Sequence, residues 1–439
     1  MSVHALSRLL RRTVEAIATA SAGAPRLVQS PLRLSDLVEL RAPLEDLGPD
    51  TVRVHEQTPH LLSPRSPAPS RRSPLSRGET VIAGVDSGSR ALETPPAGIA
   101  VAAVAATLTA PLARAGLRVE AILWPPIPPA PTAPLAGPPF IRVLPNWEGP
   151  EPELPEFAAS TNPAGARYGP EYSMAQALDE ARVTLENWAL RSLAAAVESA
   201  PPGEGRLAVL VDGPVLLVPG ALERPGSPPA YREAWERLLS ERLAAVERLE
   251  ALGVPVIGVV KRVSRSRLLS RARGLEGRLE ACLGPLEASD EALIHRAYAA
   301  CARRAPGRIY RSPILEVRSA AGSKLAEYLV VPRGKWQVGP GSVVIVRLEY
   351  TPGSLELVRE HLRAEPYHVY ARASVLAGSV QPLVIAASDR RARTAARAVA
   401  RSLARELAVA GVPLSYESEV EARIEALRGG GGWRGWLEA

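Results

Sequence analysis

Five side chains stand out in this sequence for the chemistry they could do: Asp86, Glu186, Asp212, Lys261 and Asp389. Asp86 follows the apolar run TVIAGV and is followed by Ser87, Gly88 and Ser89. Small residues let a backbone turn sharply and come close to a phosphate. A turn in which Asp caps its own backbone fits the same letters equally well. Asp212 follows LAVLV and precedes Gly213 and Pro214. Asp-Gly between apolar runs signals a hairpin, but Pro214 lacks the N–H that a tight hairpin would pair, so a strand-end ligand is favoured. Two carboxylates delivered at strand ends are oxygen donors of the kind that hold divalent metal. The expectation is a metal-dependent centre that cuts nucleic acid.

Glu186 lies on a stretch, Tyr172–Ser199, that reads as one long amphipathic helix. Val183, Leu190, Leu193 and Val197 form a stripe, and Glu186 falls within it. A carboxylate facing inward costs several kcal/mol unless it is paired or bound to metal. Arg182, four residues earlier, is the partner expected for a purely structural role. Glu180, flanked by Gln176, Thr184 and Asn187, reads as the solvated acid of the same helix. Lys261 closes VPVIGVV and opens KRVSRSRLLSRAR, which suits a point-charge contact to phosphate and then a basic path. For the arginines taken singly, a solvated basic surface is the better reading. Asp389 follows PLVIAAS, and it or Ser388 is a candidate N-cap for a closing helix, Arg390–Ala410. The six histidines show no metal-ligand spacing; His361 and His368 are weak candidates.

The elements that must position these groups are legible in outline. Residues 1 to 56 read as helical pieces, and Pro59–Ser76 as a mobile Pro/Ser/Arg-rich linker. TVIAGVDS, GIAVAAVAATL and LRVEAILWPP suggest an antiparallel meander, and Pro125–Pro139 an irregular excursion. Helices then alternate with LAVLVDG and VPVIGVVK, and the pair EYLVVP and SVVIVRLEY comes next. Strands first, then alternating helix and strand, describe an α/β fold: a mixed sheet flanked by helices. The expected division is an N-terminal helical arm and linker at 1–76, a nuclease-like domain at 77–428 and a Gly-rich tail at 429–439.

Composition narrows the field. The chain has 439 residues, a formal charge of +7 and only three lysines, so its positive charge is almost all arginine. That is a modest pointer to a polyanionic partner. Two cysteines, Cys282 and Cys301, exclude a disulfide framework and a Cys-based zinc site. No signal-peptide pattern and no convincing membrane span stand in the sequence, so a cytoplasmic protein without a membrane partner is expected. No GxxxxGK[ST], HExxH or GxSxG occurs.

Taken in order, VDSGSR, the Arg182–Glu186 pair, LVDGP, VIGVVKRVSRSRLL and QPLVIAASDRRAR resemble the NurA nuclease family of archaea and some bacteria. The resemblance runs from about Thr80 to Ala410. It implies a ribonuclease-H-like core and a Mn2+-dependent centre, with Mg2+ as the alternative cation, in which Asp86, Glu186, Asp212 and Asp389 are ligands and Lys261 faces the scissile phosphate. It implies a DNA nuclease, 5′ to 3′ on single strands with endonucleolytic cutting as a second mode, acting in end resection and break repair with a HerA-type hexameric helicase. A homodimer is implied as well. One position departs: Gln381-Pro382 replaces the Tyr-Pro usual in the family. The loss of that Tyr motivates an alternative, a weakly active or inactive DNA-binding scaffold on the same translocase. A third reading is an RNA-directed enzyme of the ribonuclease-H-like group.

Overall fold

The computed structural model describes residues 3–22, 51–58, 61–66, 68–77, 80–109, 140–146, 152–169, 172–199, 206–216, 229–261, 263–264, 266–275, 289–300, 308–319, 322–332, 343–374 and 381–414. The centre is built from five strands: β3 (Thr80–Glu93), β4 (Ala97–Leu108), β5 (Phe140–Pro145), β7 (Arg206–Asp212) and β8 (Val256–Val260). β3, β4 and β5 pair antiparallel in sequence, while β7 lies parallel to β3 and β8 parallel to β7. The order β5-β4-β3-β7-β8 is that of a ribonuclease-H-like core.

Around it the sheet grows to twelve strands among the described residues. β12 (Val343–Tyr350) pairs with β8 and β11 (Gly322–Pro332), and β10 (Ile314–Ser319) and β1 (Thr51–Glu56) continue outward. β2 (Ser63–Arg65) and β9 (Ile309–Arg311) pair with each other beside β11, and β6 (Ala158–Ala159) pairs with β5.

Central strands buried on both faces read as nearly continuous apolar runs. Val81, Ala83 and Val85 of β3, with Val209 and Val211 of β7, face a core shared with α3 (Met174–Glu198) and α4 (Pro229–Ala251). Ile82, Ala208 and Leu210 face the opposite core. That core is closed by α7 (Pro352–Glu360), α8 (Pro366–Ser374) and the first turn of α9 (Leu383–Val409). α1 (Val3–Ala22) packs Leu10, Val14 and Ile17 against Val399, Leu403 and Leu407 of α9. Three further helices complete the described set: α2 (Pro74–Arg77), α5 (Leu268–Arg271) and α6 (Asp290–Ala300).

The helix expected over Tyr172–Ser199 is present, with Ser173 as N-cap in a capping box with Gln176. Four expectations need correction. Residues 51–56 are a strand, because Val52 and Val54 alternate with polar residues at period two. The expected mobile linker carries β2 and buries Leu61, Leu62 and Leu75, since its few apolar side chains find partners on the C-terminal half of the sheet. β3 does not stop at Asp86 but runs on to Glu93, carried by pairing with β4 across Gly88 and Ser89. Leu383–Asp389 is not a run ahead of a helix but its first two turns, begun at Pro382. LRVEAILWPP, Pro125–Pro139, both cysteines, Arg262, Arg265 and the 429–439 tail lie outside the described residues, and the third meander position next to β4 is taken by β5.

Candidate active site

Register brings the two strand acids together. β3 and β7 run parallel with Val85 opposite Val211, so Asp86 and Asp212, one position on, project from the same face of neighbouring strands. Their carboxyl groups stand within hydrogen-bonding reach of each other. β7 ends at Asp212, and Gly213 turns the chain away at a φ of +100°, a conformation that favours glycine. β3 continues past this point with its β7 side unpaired by that strand, which leaves a notch in the sheet at Asp86. Asp212 is therefore a strand-end acid as expected, and Asp86 is a mid-strand acid beside the end of its neighbour.

Asp86 is 2% exposed. Its Oδ1 accepts from the Ser87 N–H at 2.7 Å, whereas its Oδ2 is buried with no hydrogen-bond donor. Burial, and then the negative charges of Asp212, Asp389 and Glu186, push its pKa well above the ordinary carboxylate range. An orphaned carboxylate oxygen facing a second carboxylate is satisfied by a proton or a cation. On the far side of Asp212, Lys261, one residue past the end of β8, places Nζ 2.8 Å from Oδ2. Lys261 keeps about a third of its side chain in solvent, so it remains open to an anionic ligand.

Asp389 joins from α9. Gly84 and Gly88, on the same side of β3 as Asp86, let this helix lie directly on the strand. A Cβ at Gly84 would stand 2.5 Å from the backbone carbon of Val384, and one at Gly88 2.7 Å from the Arg393 nitrogen. Ser388 Oγ donates to the Gly84 carbonyl at 2.7 Å. Neither Ser388 nor Asp389 is an N-cap; Asp389 sits within the helix, paired with Arg393 at 2.6 Å.

Glu186 approaches from the opposite face. Ser87, whose side chain points away from α9, donates Oγ–H to Glu186 Oε1 at 2.5 Å and accepts from Arg182 Nε at 3.3 Å. The partner of Glu186 is not Arg182 but Arg242 of α4, whose Nη2 stands 2.7 Å from Oε2. Arg242 is 1% exposed and also donates Nε–H to Asn187 Oδ1 at 2.5 Å. Sequence reasoning passed over this arginine although a signal was there. Tyr231, Trp235, Leu238, Ala245 and Leu249 form the buried stripe of α4, and Arg242 falls in register with it.

Glu180 is the other correction on α3. It is not solvated but fully buried, accepting from Tyr172 at 2.7 Å and Tyr168 at 2.9 Å, and burial pushes its pKa up to about 8. Polar neighbours in sequence hid this, because Tyr168 and Tyr172, which precede the helix, fold back over that face. Neither weak histidine candidate joins these acids: His368 Nδ1 accepts from the Glu365 N–H at 3.0 Å, and His361 caps the end of α7.

The donor set around the notch is all oxygen, which fits a hard divalent cation. Among the described residues no three Asp, Glu, His or Cys side chains already stand together as a cage for a metal. Asp86 and Asp212 form the touching pair, Asp389 lies alongside, and Glu186 is held by Arg242 and Ser87 on the other face. No helix among the described residues is long and apolar enough to cross a membrane.

The NurA domain model matches residues 80–394, which enclose all five candidate residues. No curated protein matches the chain. Two solved structures are similar to it at 9% identity: the NurA nuclease from Sulfolobus solfataricus and a NurA crystal structure with manganese. The first covers 85% of this chain and 92% of its own, with a TM-score of 0.38; the second covers 78% and 91%, with a TM-score of 0.37. With the domain model spanning more than half of its length, the chain belongs to the NurA family.

Proposed function

We propose that this chain is a metal-dependent DNA nuclease centred on Asp86 and Asp212. The observation that carries this reading is the buried, donor-less Oδ2 of Asp86 in reach of the Asp212 carboxyl, with Lys261 at the rim. Asp86 and Asp212 would hold Mn2+ or Mg2+, with Asp389 adding negative charge from α9 and Glu186 adding it from α3 through the other face of β3. Such a cation, when bound, activates water and stabilises the leaving oxygen in phosphodiester hydrolysis.

The chain's own residues supply the rest. Lys261 is placed to neutralise a phosphate oxygen that develops charge, and its bond to Asp212 holds it at that spot. The Ser87 N–H fixes the Asp86 carboxylate so that Oδ2, not Oδ1, is presented. The net charge of +7 favours a polyanionic substrate. Family membership supports action on single-stranded DNA with 5′ to 3′ polarity in end resection. It also supports a homodimer working with a HerA-type translocase, which would supply the motor that this chain's sequence lacks a phosphate-binding loop to provide.

The test is cleavage of 5′-labelled single-stranded DNA with Mn2+ by wild type, Asp86→Ala and Asp212→Ala, with DNA binding measured in parallel. Metal-dependent cutting lost in both variants, with binding retained, is the expected result. A wild type that binds DNA but does not cut it, even with its translocase present, would replace this reading with the scaffold one. Preference for RNA in a competition assay would move the substrate class instead.

A further inference from the structure

We propose that Arg242 is a positioning residue for this centre, acting through Glu186 and Ser87 on Asp86. The inference rests on the nuclease reading above and adds a residue which neither the motifs nor the family model single out. Three contacts form an unbroken relay across the sheet. Arg242 Nη2 donates to Glu186 Oε2 at 2.7 Å, Ser87 Oγ donates to Glu186 Oε1 at 2.5 Å, and the Ser87 N–H donates to Asp86 Oδ1 at 2.7 Å. The first two bonds anchor the Ser87 side chain, and through it the stretch of β3 backbone whose N–H meets Asp86. With Oε2 taken by the guanidinium, Glu186 can only turn Oε1 towards β3, and that oxygen fixes the Ser87 side chain on the face of the strand opposite the Asp86 carboxylate.

The arrangement is poorly explained as a stability device. Both members of the ion pair are almost wholly buried, where the loss of hydration offsets most of the attraction between them. Arg242 Nη1 is buried without a hydrogen-bond partner, so the guanidinium is not even fully satisfied. What the pair does provide is direction. Nε is anchored on Asn187, whose own Nδ2 donates to the Leu238 carbonyl at 2.9 Å, so the plane of the guanidinium is locked by both helices before it meets Glu186. A lysine would carry the charge but not this two-point geometry.

The experiment uses the full-length chain and Mn2+ alone as the binding probe, monitored by electron paramagnetic resonance, together with thermal unfolding and kcat and KM on single-stranded DNA. Arg242→Lys should unfold within a few degrees of wild type and keep KM for DNA within about twofold. Its Mn2+ affinity and kcat should each fall by roughly 10–100-fold, the range seen when outer partners of metal ligands are lost. Wild-type Mn2+ affinity and kcat in Arg242→Lys would overturn the proposal. Because Arg242→Lys could fold poorly, a cycle of Arg242→Met, Glu186→Gln and the double variant, which removes both charges of the pair, tests the same point. If Arg242 acts through Glu186, the double variant loses no more Mn2+ affinity than Glu186→Gln alone; additive losses would overturn the relay. Failure of the nuclease reading is separate: there, wild type itself neither binds Mn2+ nor cuts DNA.

Discussion

At the scale of single residues, what distinguishes this site is how differently its carboxylates are satisfied. Asp86 Oδ2 has no donor, Asp212 has Lys261, Glu186 has two donors and Asp389 has Arg393. Loss of Asp86 should therefore reduce cleavage by more than the roughly 10–100-fold typical of an outer partner. Asp389→Ala should cost less than Asp86→Ala, which steady-state rates with Mn2+ will show. Glu180 gives a prediction of a different kind. Its pKa rises from 4.5 in the unfolded chain to about 8 in the fold, so the folded state keeps a proton that the unfolded state has lost. Stability should then fall as pH rises through this window and level off above it. Glu180→Gln should remove that slope, gaining on wild type by on the order of a few kcal/mol between pH 5 and pH 9 in urea denaturation.

At the scale of elements, the site depends on α9 lying in backbone contact with β3. Gly84→Ala would push a Cβ to 2.5 Å from the Val384 backbone, so the helix must move, carrying Ser388 and Asp389 with it. We expect a loss of about 1–3 kcal/mol in stability from overpacking, read from denaturant midpoints, together with lowered cleavage. The capping box of α3 makes a contrasting case. Ser173→Ala removes the bond to the Gln176 N–H and should cost about 1 kcal/mol. Ser173 lies more than three turns of helix before Glu186, so cleavage at temperatures well below unfolding should be unchanged.

At the scale of the whole molecule, the N-terminal elements are structurally tied to the nuclease core. β1 covers the β10 edge of the sheet, and Arg53 bonds Glu316 at 2.5 Å. Removing residues 1–58 would strip α1 from α9 and expose a strand edge, and exposed edges promote association. Size-exclusion chromatography of such a truncation should show aggregates rather than a discrete species. For the intact chain, the logarithm of the DNA-binding constant should fall linearly with the logarithm of salt concentration, since phosphate contacts release counterions.

The sequence by itself determined a good deal: the runs that became β3, β7 and β8, the long helix α3, the acids that β3, β7 and α3 carry and the lysine that follows β8. Those features are local, written in apolar periodicity, in the Asp-Gly-Pro turn and in the Ser173 cap, and local rules read them. Tertiary structure alone decided which groups meet. Parallel register set Asp86 beside Asp212, because a shift of one residue would have sent one carboxylate to the other face. Packing of α4 against α3 replaced the nearby Arg182 by the distant Arg242 as the partner of Glu186, and coverage by Tyr168 and Tyr172 turned Glu180 from a surface acid into a buried one. Periodicity can show that Glu186 and Arg242 each face inward, but not which distant group either one meets, so only the folded chain could assign the pairs.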